Sequence, residues 1–340
     1  MKNKNKFLRK RKYFTPNNFL ISKIKKKPLL NLEEIYENIS IIDFIIKIIL
    51  IIIIYIIYIF LPNNKSKIKV ALCTMGRKEN LYINEYVNHY LSLGVDTLFL
   101  YDDNVDEKDK FINFIPKTDS IVIEYTKDYD IDGQVEAFNH CYKTNKNNYD
   151  WFIMVDMDEF MVIRNNDTIK KYLSDKVFDK CDFIKLQWRV PTDNDLVYYD
   201  NRSLFERFKR PFMTYPDVKS IIRGHIDNLK YWVHSPKESP DKNVTCDNTG
   251  NILHYTKLNF ERVSKVNLDR AYILHFAFKS TEEFINKFNR GYKNWPHLKL
   301  EHSINNYFSK NRITLEKIEL LEKAFNITLT RFRNKLHLSI

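Results

Sequence analysis

Asp156, Asp158 and Glu159 stand at the end of a run of five apolar residues, Trp151-Phe152-Ile153-Met154-Val155. In an extended segment, side chains two apart point to one side, so Asp156 and Asp158 can share a hard divalent cation, which oxygen ligands suit. Three other Asp-x-Asp triplets, Asp128/Asp130, Asp130/Asp132 and Asp193/Asp195, sit among polar residues, where a solvated loop is the expected setting. Asp102 and Asp103 form a second acidic strand end, after residues 97–101. Two such ends opening on one crevice would suit a nucleotide, with its base or ribose read by the first pair and its diphosphate carried by a metal at the second. The chemistry would be electrostatic: the cation stabilises a leaving diphosphate while a carboxylate base activates an acceptor hydroxyl.

These groups need a scaffold that brings strand ends together. The apolar run over 151–155 reads as a central strand covered on both faces, and in open α/β sheets ligands bind beyond the carboxyl ends of such strands. Upstream, the pattern predicts strands over 69–75, 97–101 and 121–125. It predicts helices over 81–93, with Gly94 as the stop, and over about 134–144. On the first helix Ile83, Tyr86, Val87 and Tyr90 share one face, while Glu85, Asn88, His89 and Ser92 read as solvated, which is why Glu85 and His89 are not taken as a metal pair. Strand–helix alternation implies right-handed crossovers and a parallel, doubly wound, Rossmann-like sheet flanked by helices. Downstream, a helix near 168–174, a strand over 182–190, a polar loop region from about 191 to 251 and a helical end from 281 onwards are expected.

Composition narrows the function. Six glycines in 340 residues include no G-x-G-x-x-G and no Walker-type loop, so a bound diphosphate must be held by a cation and side chains. The net charge of +12 is concentrated at one end, where residues 1–43 carry eleven Lys/Arg against four Asp/Glu. The remainder is only mildly basic, which argues against nucleic acid as a partner. Residues 1–43 read as a flexible basic tail. Residues 44–61 are apolar except for Lys47, Tyr55 and Tyr58; at 1.5 Å per residue they reach roughly 27 Å, enough for one transmembrane helix in a lipid bilayer. Basic residues flank that stretch on both sides. The dense cluster in the tail favours a cytoplasmic N-terminus, hence a type II, signal-anchored protein with its globular part in an ER- or Golgi-like lumen. Sequons at Asn64, Asn166, Asn201, Asn243 and Asn326 are compatible with a luminal glycoprotein. Cys73, Cys141, Cys181 and Cys246 show no metal-like spacing; free thiols and disulfides both remain open, with three full pairings available.

The blocks Arg77-Lys78-Glu79-Asn80-Leu81-Tyr82, Leu93-Gly94-Val95-Asp96, Tyr101-Asp102-Asp103-Asn104, Gly133-Gln134, Asn139-His140-Cys141 and Asp156-Met157-Asp158-Glu159-Phe160 occur in an order that resembles glycosyltransferase family 92 and related family-2-like transferases. Glu206-Arg207-Phe208, Lys219-Ser220-Ile221-Ile222, Ile273-Leu274-His275-Phe276, Lys279-Ser280 and Arg290-Gly291 are similar to its later blocks. The resemblance covers about residues 67–295, which would form the catalytic domain between a short stem at 62–66 and a helical extension at 296–340. It implies a GT-A fold, inverting transfer from a nucleotide-sugar donor (a uridine diphosphate sugar) to a glycan or glycoprotein hydroxyl, and dependence on Mn2+ or Mg2+. Asp156, Asp158 and His275 would be the metal site. Arg77, Glu79, Asp102, Asp103, Gln134, Asp156 and Lys279 would contact the donor. Asp193, Asp195 and Glu206 are the candidates for the acceptor-side base. Taken singly, His275 between Leu274 and Phe276 reads as a core histidine, Lys279 and Lys287 as solvated charges, and Arg290-Gly291 as a helix end. A catalytically silent carbohydrate-binding or scaffold protein on the same fold is the rival reading. A metal-dependent phosphohydrolase would need a second Asp-rich site, and a tether would work through the basic tail.

Overall fold

The computed structural model describes residues 46, 48–51, 68–209, 212–237, 242–253, 262, 265–291 and 299–337. The chain divides into two compact units, Met1–Ser66 and Lys67–Ile340. In the first, residues 46 and 48–51 are helical, with exposed isoleucine and leucine side chains. The rest of the anchor expected over 44–61 lies outside the described residues, among which no helix is long and apolar enough to cross a membrane.

The second unit runs β1 (Val70–Gly76), α1 (Ile83–Leu93), β2 (Thr97–Asp102), β3 (Ile121–Tyr125), α2 (Gln134–Asn145), β4 (Trp151–Met154), β5 (Glu159–Ile163), α3 (Ile169–Leu173), β6 (Phe183–Pro191), α4 (Leu204–Arg207), β7 (Phe212–Arg223), β8 (Thr245–Asp247) and β9 (Ala271–His275). Four helices follow: α5 (Thr281–Asn289), α6 (Leu300–Lys310), α7 (Leu315–Phe325) and α8 (Thr330–His337). One sheet takes the order β3-β2-β1-β4-β7-β6-β9-β5, with β8 on β6. Strands β3, β2, β1 and β4 are parallel, as the alternation predicts. Beyond β4 the direction changes: β7 runs antiparallel to both β4 and β6, and β5 antiparallel to β9.

Period-2 alternation along β1 explains why it is apolar at nearly every position. Val70 and Leu72 pack on one face with Ile83, Tyr86, Val87 and Tyr90 of α1. Ala71 and Cys73 pack on the other with Ala137, Phe138 and Cys141 of α2. The expected two-sided winding is therefore present. Gly94 ends α1 in the left-handed region at φ 94, its N–H donating to the Leu91 carbonyl.

Two expectations fail for physical reasons. The region read as a polar loop over 191–251 contains β7, the strand that joins the parallel half to the rest. Its first half is partly exposed and carries Pro216 and Asp217, so only Val218 to Ile222 is uniformly buried. Glu85 and His89 are not a solvated face either. Both Glu85 carboxylate oxygens accept from the Leu204 N–H at the start of α4. His89 is covered by Phe160 and Phe205, with Nε2 2.9 Å from the Met161 carbonyl.

Burial holds the His89 imidazole below its usual pKa, against the raising effect of the Met161 carbonyl. The unfolded chain therefore takes up a proton near pH 6.5 that the folded chain resists. His89 contributes stability above that pH and loses it as pH falls. A His89→Gln variant, which keeps a donor toward Met161, should gain stability relative to the native chain between pH 7 and 5, as read from unfolding midpoints in urea.

The four cysteines pair as Cys73–Cys141, tying β1 to α2, and Cys181–Cys246, tying the entry of β6 to β8. They close loops of 68 and 65 residues, for which chain entropy gives about 4 kcal/mol each. Reduction should lower the denaturant midpoint accordingly, and the unreduced chain should expose no thiol to a maleimide when denatured.

Candidate active site

The carboxyl ends of β1, β2 and β4, together with β9 and α5, surround one cavity of about 340 Å³. Arg77, Glu79, Asp103, Gln134, Asp156, Asp158 and His275 all line it, and so do Lys287 and Arg290. Gly76 leaves room for Met157 over the end of β1: a Cβ there would lie 2.1 Å from Met157 Sδ, so a larger residue would displace that flexible side chain.

Asp156 and Asp158 are held differently. Asp156 Oδ1 accepts from Gln134 Nε2 and, at 2.7 Å, from Lys219 Nζ. Asp158 is 4 % exposed, with Lys287 Nζ 2.6 Å from Oδ2 and His275 Nε2 3.5 Å from Oδ1. Burial works against its charge, but Lys287 and then His275 overcome this and hold the carboxyl well below the usual range. Glu159 is turned inward, Oε2 accepting from the Asp156 N–H at 2.9 Å. Burial and the neighbouring Asp156 push its carboxyl up to about 7.

Cross-bracing fixes the opposite wall. Arg77 donates to the Arg290 carbonyl and Arg290 to the Arg77 carbonyl, both at 2.8 Å, which ties the end of β1 to the end of α5. Glu79 pairs with Arg290 and, at 3.4 Å, with Lys279.

A divalent cation can be tested against this geometry. Ligands at 2.0–2.1 Å in an octahedral shell sit roughly 3.0 Å apart when adjacent, close to the 3.5 Å between Asp158 Oδ1 and His275 Nε2. Among the described residues no three His, Cys, Asp or Glu are gathered tightly enough to hold an ion alone. Mg2+-like ions need no such cage, since they take one or two carboxylates together with substrate phosphates. Asp158 Oδ1 and His275 thus fit as a pair, with Lys287 on Asp158 Oδ2, while Lys219 and Gln134 both engage Asp156 at Oδ1.

Other expected site residues lie elsewhere. Asp102 braces its own loop, accepting from Asn104 N and Nδ2 and from Phe111 N, so of the first acidic pair only Asp103 reaches the cavity. Lys279 lines an adjoining recess with Tyr82 and Glu283. None of the three base candidates lines the cavity. Asp193 is buried, with Tyr307 Oη at 2.5 Å and Lys317 Nζ at 2.7 Å. Asp195 is half-exposed beside Lys317 and Arg312, and Glu206 closes the capping box of α4 with Ser203.

Lys219 carried no expected role. It is fully buried on β7, 2.7 Å from Asp156 and 3.5 Å from Glu159. A lone lysine inside Val218-Lys219-Ser220-Ile221-Ile222 was the available signal, since an ammonium in an apolar strand needs a carboxylate partner.

An open α/β sheet whose strand ends collect carboxylates, guanidinium groups and an imidazole in one crevice has its ligand site where such sheets bind ligands, beyond the carboxyl ends of the strands. The sequence model of glycosyltransferase family 92 matches residues 66–311, most of the chain, and the chain belongs to that family. A protein of Oryza sativa subsp. japonica named glycosyltransferase family 92 protein Os08g0121900 is 26 % identical to it over 105 residues. That alignment takes in 31 % of this chain and 18 % of the rice protein, so the chain spans less than a fifth of that relative's length.

Proposed function

We propose that this chain is a metal-assisted glycosyltransferase that moves a sugar from a nucleoside diphosphate donor, a uridine diphosphate sugar, to a hydroxyl of a glycan or glycoprotein, with inversion. The observation that carries the reading is the convergence on one cavity of acidic and basic groups from β1, β2, β4, β9 and α5. Asp103 would face the nucleoside, while Arg77, Lys287 and Arg290 would face the diphosphate. Asp158 and His275 would hold a Mn2+ or Mg2+ ion, which supplies charge to offset that building on the leaving diphosphate. In the transfer the acceptor oxygen bonds to the anomeric carbon, the bond from that carbon to the phosphate oxygen breaks, and its electron pair leaves with the diphosphate. The hydroxyl proton passes to a base; Asp193, Asp195 and Glu206 lie outside this cavity.

Two disulfides suit an oxidising compartment. With the apolar stretch at 44–61 and the basic tail, they support a membrane-anchored, type II arrangement with the globular unit in an ER- or Golgi-like lumen.

The test is release of nucleoside diphosphate by the purified chain across a panel of nucleotide sugars, with manganese or with chelator. One donor should be hydrolysed slowly without acceptor, and chelator should stop it. A folded chain that neither hydrolyses nor binds any donor would overturn the transferase reading in favour of a silent carbohydrate-binding protein.

A further inference from the structure

Beside the donor cavity lies a second one of about 320 Å³, and His275 and Lys287 line both. Its composition differs sharply. Trp188 of β6, Tyr215 of β7 and Phe278 after β9 supply aromatic surface, while His302, Ser303 and Asn306 of α6 supply small polar groups. His302 and Asn306, one helical turn apart, are exposed at the rim. Ser303 beneath them is 8 % exposed, and among the described residues neither its Oγ nor the buried Trp188 Nε1 has a hydrogen-bond partner. Buried polar atoms without a partner are uncommon in folded proteins. Lys287 is the cation on this wall, and its ammonium already lies 2.6 Å from Asp158.

Three occupants can be compared on this chemistry. A phosphate-bearing ligand would meet almost no free positive charge. An acyl chain would strand the hydroxyl, imidazole and amide groups of α6. A pyranose presents a C–H face suited to aromatic rings and a rim of hydroxyls suited to Ser303, His302 and Asn306. The volume lies at the small end of the roughly 300–1,000 Å³ of small-molecule sites, which fits a sugar ring better than a folded peptide segment. Trp188 sits at the junction, its ring 4.4 Å from that of His275.

We propose that this second cavity binds the acceptor as a neutral pyranose, with Tyr215 as an aromatic surface and α6 as the hydrogen-bonding wall. This rests on the transferase reading for the word acceptor, but the prediction of sugar binding stands without it. The cavity joins the donor cavity where His275 and Lys287 touch Asp158, so a ring held there would present a hydroxyl to the donor's anomeric carbon. The wall is itself supported from behind: Tyr307 of α6 donates to Asp193, which also pairs with Lys317 of α7. Asp193 is thereby assigned to positioning α6.

The experiment is saturation-transfer NMR on the full chain with four methyl glycosides, β-galactoside, β-N-acetylglucosaminide, α-mannoside and α-fucoside, and with octanoate as an apolar control. Tyr215→Ala removes one aromatic surface, and Asn306→Trp, at an exposed helix position, blocks the mouth without entering the core. Neither residue lines the donor cavity. At least one glycoside should receive saturation from the native chain, with binding weakened about tenfold in both variants and donor hydrolysis unchanged within twofold. No transfer to any glycoside, transfer only to octanoate, undiminished binding in both variants, or hydrolysis that falls together with binding would each overturn the assignment. Absence of donor hydrolysis in the native chain would count against the transferase reading alone, because glycoside binding is read separately.

Discussion

Asp158→Asn is expected to lower donor turnover roughly 10²–10³-fold, the usual cost of removing one group aimed at charge developing in a transition state. Because Lys287 and His275 hold the Asp158 carboxyl well below its ordinary range, it is ionised throughout the working pH range. Asparagine therefore changes charge while nearly conserving shape. Lys287 keeps partial access to water, so the ammonium left behind can turn outward. The structural cost should accordingly stay near 1–3 kcal/mol. Diphosphate release measured with increasing manganese separates the two effects. In the variant, residual release should be small and insensitive to chelator, whereas the native chain should respond to both. Turnover within a few-fold of native would mean that this carboxylate does not face the reacting phosphate, and the cation site at Asp158 and His275 would fall with it.

Legibility in the sequence followed the range of the interactions. The apolar run from Trp151 to Val155 announced a buried strand because two-sided burial leaves no polar position to confuse the period. Gly94 announced a helix end because its requirement for positive φ is local. Asp103 could be placed near Asp156 from strand order, since parallel strands deliver their carboxyl ends to one edge, whereas Arg77, Glu79 and Gln134 were expected there through the resemblance to the family. The antiparallel half was harder to see. β7 contributes only five uniformly buried residues, and its alignment beside β4 depends on pairings such as Met154 with Ser220 that no local pattern encodes. Asp193 looked catalytic for a related reason: the lysine that neutralises it, Lys317, lies on a helix more than a hundred residues later. A similar separation, 129 residues, lies between Asp158 and Lys287, and so a charge that reads as solvated in sequence becomes part of the cavity. Asp102 and Asp103 show the finest limit. Adjacent residues point to opposite sides of a strand, and only the fold shows that Asp102 turns inward to the N–H groups of Asn104 and Phe111.

Lys219→Met should destabilise the second unit by about 3–5 kcal/mol, the range for breaking a buried ion pair from one side. The ammonium is fully buried and donates to Asp156 Oδ1 at 2.7 Å and to the Val233 carbonyl at 3.0 Å, with Glu159 Oε2 at 3.5 Å. Methionine fills much of the same volume, so the loss would come from two carboxylates left facing each other and not from a cavity. The penalty should depend on pH in a defined direction. Glu159 already titrates near 7 because burial and Asp156 disfavour its charge. Its folded form thus holds a proton that the unfolded chain gives up near 4.3. Stability drawn from that proton is complete below the unfolded value and is lost as pH rises through the folded one. Without Lys219 the folded value moves higher, so the variant should keep losing stability above pH 7, where the native chain has levelled off. Urea midpoints at pH 6 and pH 8 test this, with Glu159→Gln added to the Lys219→Met background as a second arm. Removing the second buried charge should recover part of the loss at pH 8 and little at pH 6. A Lys219→Met chain as stable as native at pH 8 would show that Lys219 does not hold this pair of carboxylates together.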